Sequence, residues 1–190
     1  MRIVGGDWRG RKLEPPRGRE VSRPTTDRVR EAMASMVDSA LDEGIEGARV
    51  LDAFGGTGAL GIEMLSRGAA HTAFFDIDRG AAALIKRNLQ QLGCEPARYR
   101  VTVGDAQQSA RRGRMPGAPF DLVLMDPPYA LGTTPAEELL AALVERDLLA
   151  PGAVALFERS TDTPALTVSG FITLREKRYG GTAVDLLRVQ

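Results

Sequence analysis

The sequence predicts an α/β protein built on a mostly parallel, seven-stranded sheet that is closed by an antiparallel hairpin. Three observations carry that expectation. From residue 49 onward, short apolar runs alternate with amphipathic stretches, and repeated βα units pair in parallel through right-handed crossovers. A glycine-rich turn, Gly55-Gly56-Thr57-Gly58, joins the first strand to the first helix. Three strands end on Asp52, Asp76 and Asp105, and a fourth ends on Asp126-Pro127-Pro128-Tyr129. Ligands of open parallel sheets bind outside those carboxyl ends.

Each element follows from periodicity and punctuation. Residues 1–13 read as a hairpin, with Arg2-Ile3-Val4 and the stretch from Trp8 to Leu13 around a Gly5-Gly6-Asp7 turn. Residues 14–24 are rich in Pro and Arg and read as an extended linker. Thr25-Thr26-Asp27 caps a helix over 28–41, with Val29, Met33, Met36, Val37 and Leu41 on one face. Strand 49–52 meets the glycine loop and then helix 59–66. Strand 72–75 leads to helix 81–92, and strand 99–103 ends at Gly104-Asp105-Ala106. Strand 122–125 ends at the Asp-Pro-Pro-Tyr tetrapeptide, and helix 135–149 follows. Strand 154–158 and a hairpin of 171–175 with 183–189 around Gly180-Gly181 complete the sheet. Two units are expected: a basic extension over 1–24 and the α/β domain over 25–190.

Composition narrows the class. With 190 residues, 43% hydrophobic and 26% charged, the chain fits one globular domain. No apolar run reaches ~20 residues, and the start lacks the apolar core of a secretion signal. The expectation is a cytoplasmic monomer. A single cysteine, Cys94, excludes an internal disulfide and a cysteine-based zinc site, and with His71 the only histidine no metal is expected. Net formal charge is zero, but residues 1–30 carry nine Arg or Lys against four acids. A basic arm on an acidic body suggests contact with phosphates. Arg111-Arg112-Gly113-Arg114 extends the same tendency. Arginine outnumbers lysine 22 to 3, which suits phosphate forks, although genomic base composition gives the same bias.

Gly56, Gly58 and Gly61 satisfy G-x-G-x-x-G, and Asp76 ends the next strand. A dinucleotide site is the first reading. Two features oppose it. Asp52, just before the loop, would repel a pyrophosphate drawn to the helix N-terminus, and the loop follows about 50 residues of other material. An acid there suits S-adenosylmethionine, which carries a sulfonium and an α-amino group. Asp76 can then accept from the ribose hydroxyls, and Asp105 from the adenine amine beside the Ala106 N–H. In the tetrapeptide, two prolines make a stiff turn. Asp126 and a carbonyl accept from an exocyclic amine, and Tyr129 stacks on a planar base.

Asp52-x-Phe54-x-Gly56-x-Gly58 together with Asp126-Pro127-Pro128-Tyr129 resembles the class I S-adenosylmethionine-dependent amino methyltransferases. Met1-Arg2-Ile3-Val4-Gly5-Gly6, Trp8 to Leu13, Arg23-Pro24-Thr25-Thr26-Asp27-Arg28-Val29-Arg30-Glu31, Gly58 to Glu63 and Ser66-Arg67-Gly68-Ala69 resemble the RsmD family more specifically. That family methylates N2 of one guanine in 16S rRNA of the small ribosomal subunit. The resemblance implies a Rossmann-like methyltransferase domain with an N-terminal β-hairpin extension. It implies chemistry at Asp126, Pro127, Pro128 and Tyr129. It implies cofactor contacts from Asp52, Phe54, Gly56, Thr57, Gly58, Asp76, Ile77, Asp105 and Ala106, with Thr26 and Arg28 lying over the cofactor. Arg9, Arg11, Lys12, Arg23 and Arg30 would grip 16S rRNA, within an assembling subunit. Departures are mild: Gly55 and Thr57 stand where Ala and Ser are common, and Asp76 where Glu is frequent.

Several rivals remain at this stage. A DNA adenine-N6 methyltransferase shares the tetrapeptide, but 190 residues leave no room for a separate target-recognition domain. A release-factor glutamine methyltransferase would show Asn at position 126, and a small-molecule enzyme has little use for a basic arm. A non-catalytic RNA-binding module would not need an intact glycine loop. Trp8, His71 and Cys94 read as structural. Glu158, on the same rim, reads either as a substrate contact or as a cap or ion pair.

Overall fold

The structure is a computed structural model that describes residues 1–16 and 26–190. Strands β1 (Arg49–Asp52), β2 (His71–Asp76), β3 (Tyr99–Val103), β4 (Phe120–Met125), β5 (Leu149–Ser160), β6 (Phe171–Tyr179) and β7 (Thr182–Val189) form one sheet in the order β3-β2-β1-β4-β5-β7-β6. The first five run parallel, and β7 and β6 close the edge antiparallel. The predicted fold is therefore present. Helices α1 (Asp27–Ala40), α2 (Ala59–Ser66) and α3 (Arg79–Leu92) cover one face, while α4 (Ala106–Arg111) and α5 (Thr134–Glu145) cover the other.

Side-chain parity explains the layers. Val50, Leu122, Leu124, Val154 and Leu156 pack against Met33, Val37, Leu60 and Met64 of α1 and α2. Their odd-numbered neighbours Leu51, Val123, Ala155 and Phe157 pack against Leu139, Leu140 and Leu143 of α5. Both faces are buried, so the central strands read as unbroken apolar runs.

Several boundaries differ from expectation, β6 for instance running on to Tyr179. Asp105 accepts from the Gln107 and Gln108 amides at 2.8 and 3.3 Å and so caps a short helix, α4, where only a strand end was expected. Helix α5 stops at Glu145, short of the expected 149. The chain turns at Asp147 (φ 53°), and Leu149 pairs with Phe120 as the start of β5. Strand β5 also outruns β4 to Ser160, because antiparallel pairing with β7 continues there.

The N-terminal segment folds back as expected. Ile3 N–H donates to Arg11 O (3.0 Å), Gly10 N–H to Ile3 O (2.8 Å) and Leu13 N–H to Met1 O (3.1 Å). It is less an arm than a strap across the body. Ile3 and Leu13 are buried among Ile62, Leu65 and Phe74. Glu63 of α2, 1% exposed, accepts from the Val4 and Gly5 amides at 2.9 and 2.8 Å and from Arg67 Nε at 2.9 Å. Ser66 Oγ accepts from Trp8 N–H (3.0 Å) and donates to Gly5 O (2.6 Å). Trp8 packs on the same cluster, with the Arg98 guanidinium 5.9 Å from its ring centre. The buried Glu63 carboxylate thus gathers three donors, and the Gly5 amide among them is itself buried. Glu63→Ala is expected to destabilise the protein by about 3 kcal/mol. Urea denaturation measures the loss, and hydrogen exchange at Val4 and Gly5 should accelerate more than exchange in the central strands.

Candidate active site

A cavity of about 870 Å³ opens at the carboxyl edge of the parallel strands. Its lining comes from the loops after β1, β2, β3 and β4, joined by Glu158 of β5, Arg30 of α1 and Met1 of the strap. That volume lies in the range of small-molecule and cofactor sites.

Asp52, the last residue of β1, is 2% exposed, and its Oδ2 accepts from the Gly61 amide at 3.0 Å. The contact ties the strand end to the first turn of α2. The third glycine of the motif is a packing requirement: a Cβ at Gly61 would lie 2.4 Å from Phe74 Cε1 and 2.8 Å from Asp52 Oδ2. Gly58 caps α2 in the left-handed region (φ 79°), which a side chain would disfavour. Burial pushes the Asp52 carboxyl up to about 7; the Gly61 amide opposes this, Asp76 adds to it, and the Phe54 amide opposes it.

Asp76 closes the glycine loop. Its Oδ2 accepts from Gly56 N–H at 2.7 Å and its Oδ1 from Asp78 N–H at 2.8 Å. Phe54, Gly56, Thr57, Asp76, Ile77, Asp105 and Ala106 all line the cavity. Ile77 is 78% exposed there, an apolar surface held open at the end of β2. Gly58 shapes the loop from behind, against Ile62 and Ile85. Six acidic side chains, Asp52, Asp76, Asp78, Asp105, Asp126 and Glu158, face the cavity, and Arg30 is the only basic side chain among the described residues that line it. Such a site repels a pyrophosphate and suits a ligand carrying positive charge.

Asp126 follows β4 and lines the cavity with its outer surface open to solvent, while its carboxyl is packed against protein on the inner side. Burial raises its carboxyl well above the usual range, and the neighbouring Glu158 and Asp52 carboxylates raise it further. Pro127 is buried. Pro128 starts a 3₁₀ turn over Tyr129–Leu131, its carbonyl accepting from Leu131 N–H at 2.9 Å. The Tyr129 hydroxyl donates to Glu158 Oε1 at 3.2 Å and lies 3.1 Å from Thr182 Oγ1. The phenol is therefore oriented by the β5–β7 pair, while its ring is 45% exposed at the cavity rim. Burial makes the phenol a weaker acid than usual, raising its pKa; the Thr182 hydroxyl opposes that, and Glu158 and Asp126 reinforce it.

Glu158 is a residue the sequence left undecided between substrate contact and cap. It is 4% exposed and lines the cavity beside Asp126. Register explains the meeting: Met125, the last residue of β4, pairs with Phe157, so the next residues, Asp126 beyond the strand end and Glu158 within β5, come side by side.

The basic residues are redistributed. Arg30, expected on RNA, is 2% exposed and lines the cavity, its Nη2 donating to Arg2 O and Asp27 Oδ1, both at 2.7 Å. Arg28, expected over the cofactor, instead lines a separate groove of about 500 Å³ with Arg2 and Arg9. Residues two apart on a helix point some 200° apart, so the two arginines cannot share a face. Thr26 caps α1, accepting from Val29 N–H at 3.4 Å. Arg11 donates to the Leu92 and Gln91 carbonyls at 2.9 and 2.5 Å, satisfying the C-terminus of α3 rather than standing ready for RNA. Arg9 and Lys12 are exposed. Arg23 lies outside the described residues.

Comparison with known proteins identifies the family. A family model described as Conserved hypothetical protein 95 matches residues 1–188. Ribosomal RNA small subunit methyltransferase D of Haemophilus influenzae is 35% identical over 180 residues, 95% of this chain and 89% of that protein. Its Escherichia coli namesake is 34% identical over 181 residues, 95% of this chain and 85% of that protein. The solved structure of a putative methyltransferase, yhhF, from Escherichia coli superposes with a TM-score of 0.82 at 34% identity, covering 100% of this chain and 98% of the other. The chain belongs to the Conserved hypothetical protein 95 family, which is the RsmD family of ribosomal RNA methyltransferases.

Proposed function

We propose that this chain transfers the methyl group of S-adenosylmethionine to the exocyclic N2 of a specific guanine in 16S rRNA. The observation that carries the reading is the Asp126-Pro127-Pro128-Tyr129 turn lining an acid-rich cavity, on the same rim as the glycine loop. The partner is the rRNA of a small ribosomal subunit during assembly, in the cytoplasm, met by a monomer. Residues 1–24 form the RNA-facing extension of a methyltransferase domain over 25–190.

When bound, S-adenosylmethionine supplies an electrophilic methyl group on a sulfonium. Asp52 offers negative charge to the amino and sulfonium end, and Asp76 offers acceptors to the ribose. Ile77 and Ala106 provide the apolar walls for the adenine. Asp105, with one oxygen already capping α4, keeps the other for the adenine amine. Arg30 suits the cofactor carboxylate. The guanine amine is a poor nucleophile because its lone pair is delocalised into the ring. Asp126 and the Pro127 carbonyl accept its N–H groups and turn the lone pair toward the methyl carbon, while the Tyr129 ring holds the extruded base. Rate then arises from positioning and preorganised acceptors. Arg2, Arg9 and Arg28 along the outer groove, with Lys12 nearby, meet the phosphates that flank the target.

The direct test is transfer of labelled methyl to small subunits from cells lacking the activity, against duplex DNA, with the product nucleoside identified by mass spectrometry. N2-methylguanine in rRNA is expected; label in DNA alone would overturn the reading. Asp126→Ala should lower methyl transfer by at least about 1,000-fold, with cofactor affinity by calorimetry within a few-fold of wild type. Cofactor affinity should also rise with pH through about 7. The ionised Asp52 faces the cationic cofactor, so below that pH binding must first expel a proton. Calorimetry between pH 6 and 8, in buffers of different ionisation enthalpy, should detect that proton, and Asp52→Asn should weaken binding and flatten the slope.

A further inference from the structure

Asp126 and Glu158 form a pair of acids on one face of one cavity, brought together by the β4–β5 register. Two carboxylates side by side repel each other, and Glu158 is almost fully shielded, at 4% exposure. A ligand that presents two hydrogen-bond donors side by side removes that conflict. Guanine is such a ligand: its N1–H and its 2-amine are adjacent on the Watson–Crick edge. Adenine places its amine beside an acceptor ring nitrogen, which an ionised carboxylate repels.

We propose that Glu158 is the residue that selects guanine, accepting from N1–H while Asp126 accepts from the amine that is methylated. The assignment rests on the guanine-N2 reading above and adds to it the group that reads the ring. The Tyr129 hydroxyl, 3.2 Å from Glu158 Oε1, orients the carboxylate. A carboxylate has about four acceptor positions, so one donor does not exhaust it. The pair also explains why a turn that reports only an exocyclic amine can serve an enzyme for guanine. Asp126 recognises the amine, and Glu158 recognises its neighbour.

The test uses reconstituted small subunits in which the mapped target position carries guanine or 2,6-diaminopurine. The analogue keeps the 2-amine but turns N1 into an acceptor. Wild-type enzyme should methylate it with kcat/KM at least about 100-fold below guanine, because a site built for a donor rejects an acceptor. Equal rates on the two bases would overturn the proposal without recourse to any variant. Glu158→Gln keeps the volume and the Tyr129 contact, and its amide can donate to N1 of the analogue. It should lower guanine methylation and shrink the ratio between bases to about tenfold or less, with cofactor affinity by calorimetry unchanged. An unchanged ratio with both rates lowered equally would make Glu158 a support for Tyr129 only. Product analysis separates the two levels of inference. N2-methylguanine formed with no dependence of the ratio on Glu158 overturns this assignment alone, whereas no N2-methylguanine from wild type overturns the underlying reading as well.

Discussion

The hydrogen bond from the Gly61 amide to Asp52 fixes the geometry on which the rest of the site depends. It sets the end of β1 against the first turn of α2 at 3.0 Å, at a depth where water cannot compete. The glycine loop starts and ends at these two points, and Asp76 closes it from the neighbouring strand through Gly56. The same bond places negative charge at a helix N-terminus, where the backbone dipole favours it. An anionic ligand group is thereby kept from a position that many nucleotide-binding folds use for phosphate. One buried carboxylate therefore both builds the loop and decides the sign of what the loop accepts.

The distribution of charge extends that logic to the whole molecule. Acids gather at the carboxyl edge of the sheet, where six of them face one cavity. Arg30 lines that cavity too, whereas Arg2, Arg9 and Arg28 line the groove between the strap and α1. In the proposed function, that layout favours the phosphate backbone in the groove and leaves the cavity to a base that carries no phosphate charge.

Most of the fold was legible because both periods in the sequence were clean. Buried strands appear as apolar runs, β1 and β2 stop at an acid, and an acid follows β3 and β4 within two residues. The short helix α4 was not legible, since six residues carry too little periodicity and Asp105 served equally well as a strand end. The end of α5 was overread because Val144, Leu148 and Leu149 prolong an apolar pattern past the turn at Asp147. In the site, the exchange of Arg28 and Arg30 was readable in principle. Arg30 stands three, four and seven residues before Met33, Ala34 and Val37, on the stripe that packs against the sheet. The Asp126–Glu158 meeting was not, because it depends on a register between two strands that are 32 positions apart in the chain.

Helix α2 is only eight residues long, about 12 Å from end to end. At one end its backbone is held by Asp52, and along its length Glu63 and Ser66 hold the strap. A short, straight element pinned at both places behaves as a rigid lever between the cofactor loop and the basic surface. The strap and the cofactor loop are therefore not separate attachments to the sheet: both take their position from one short helix.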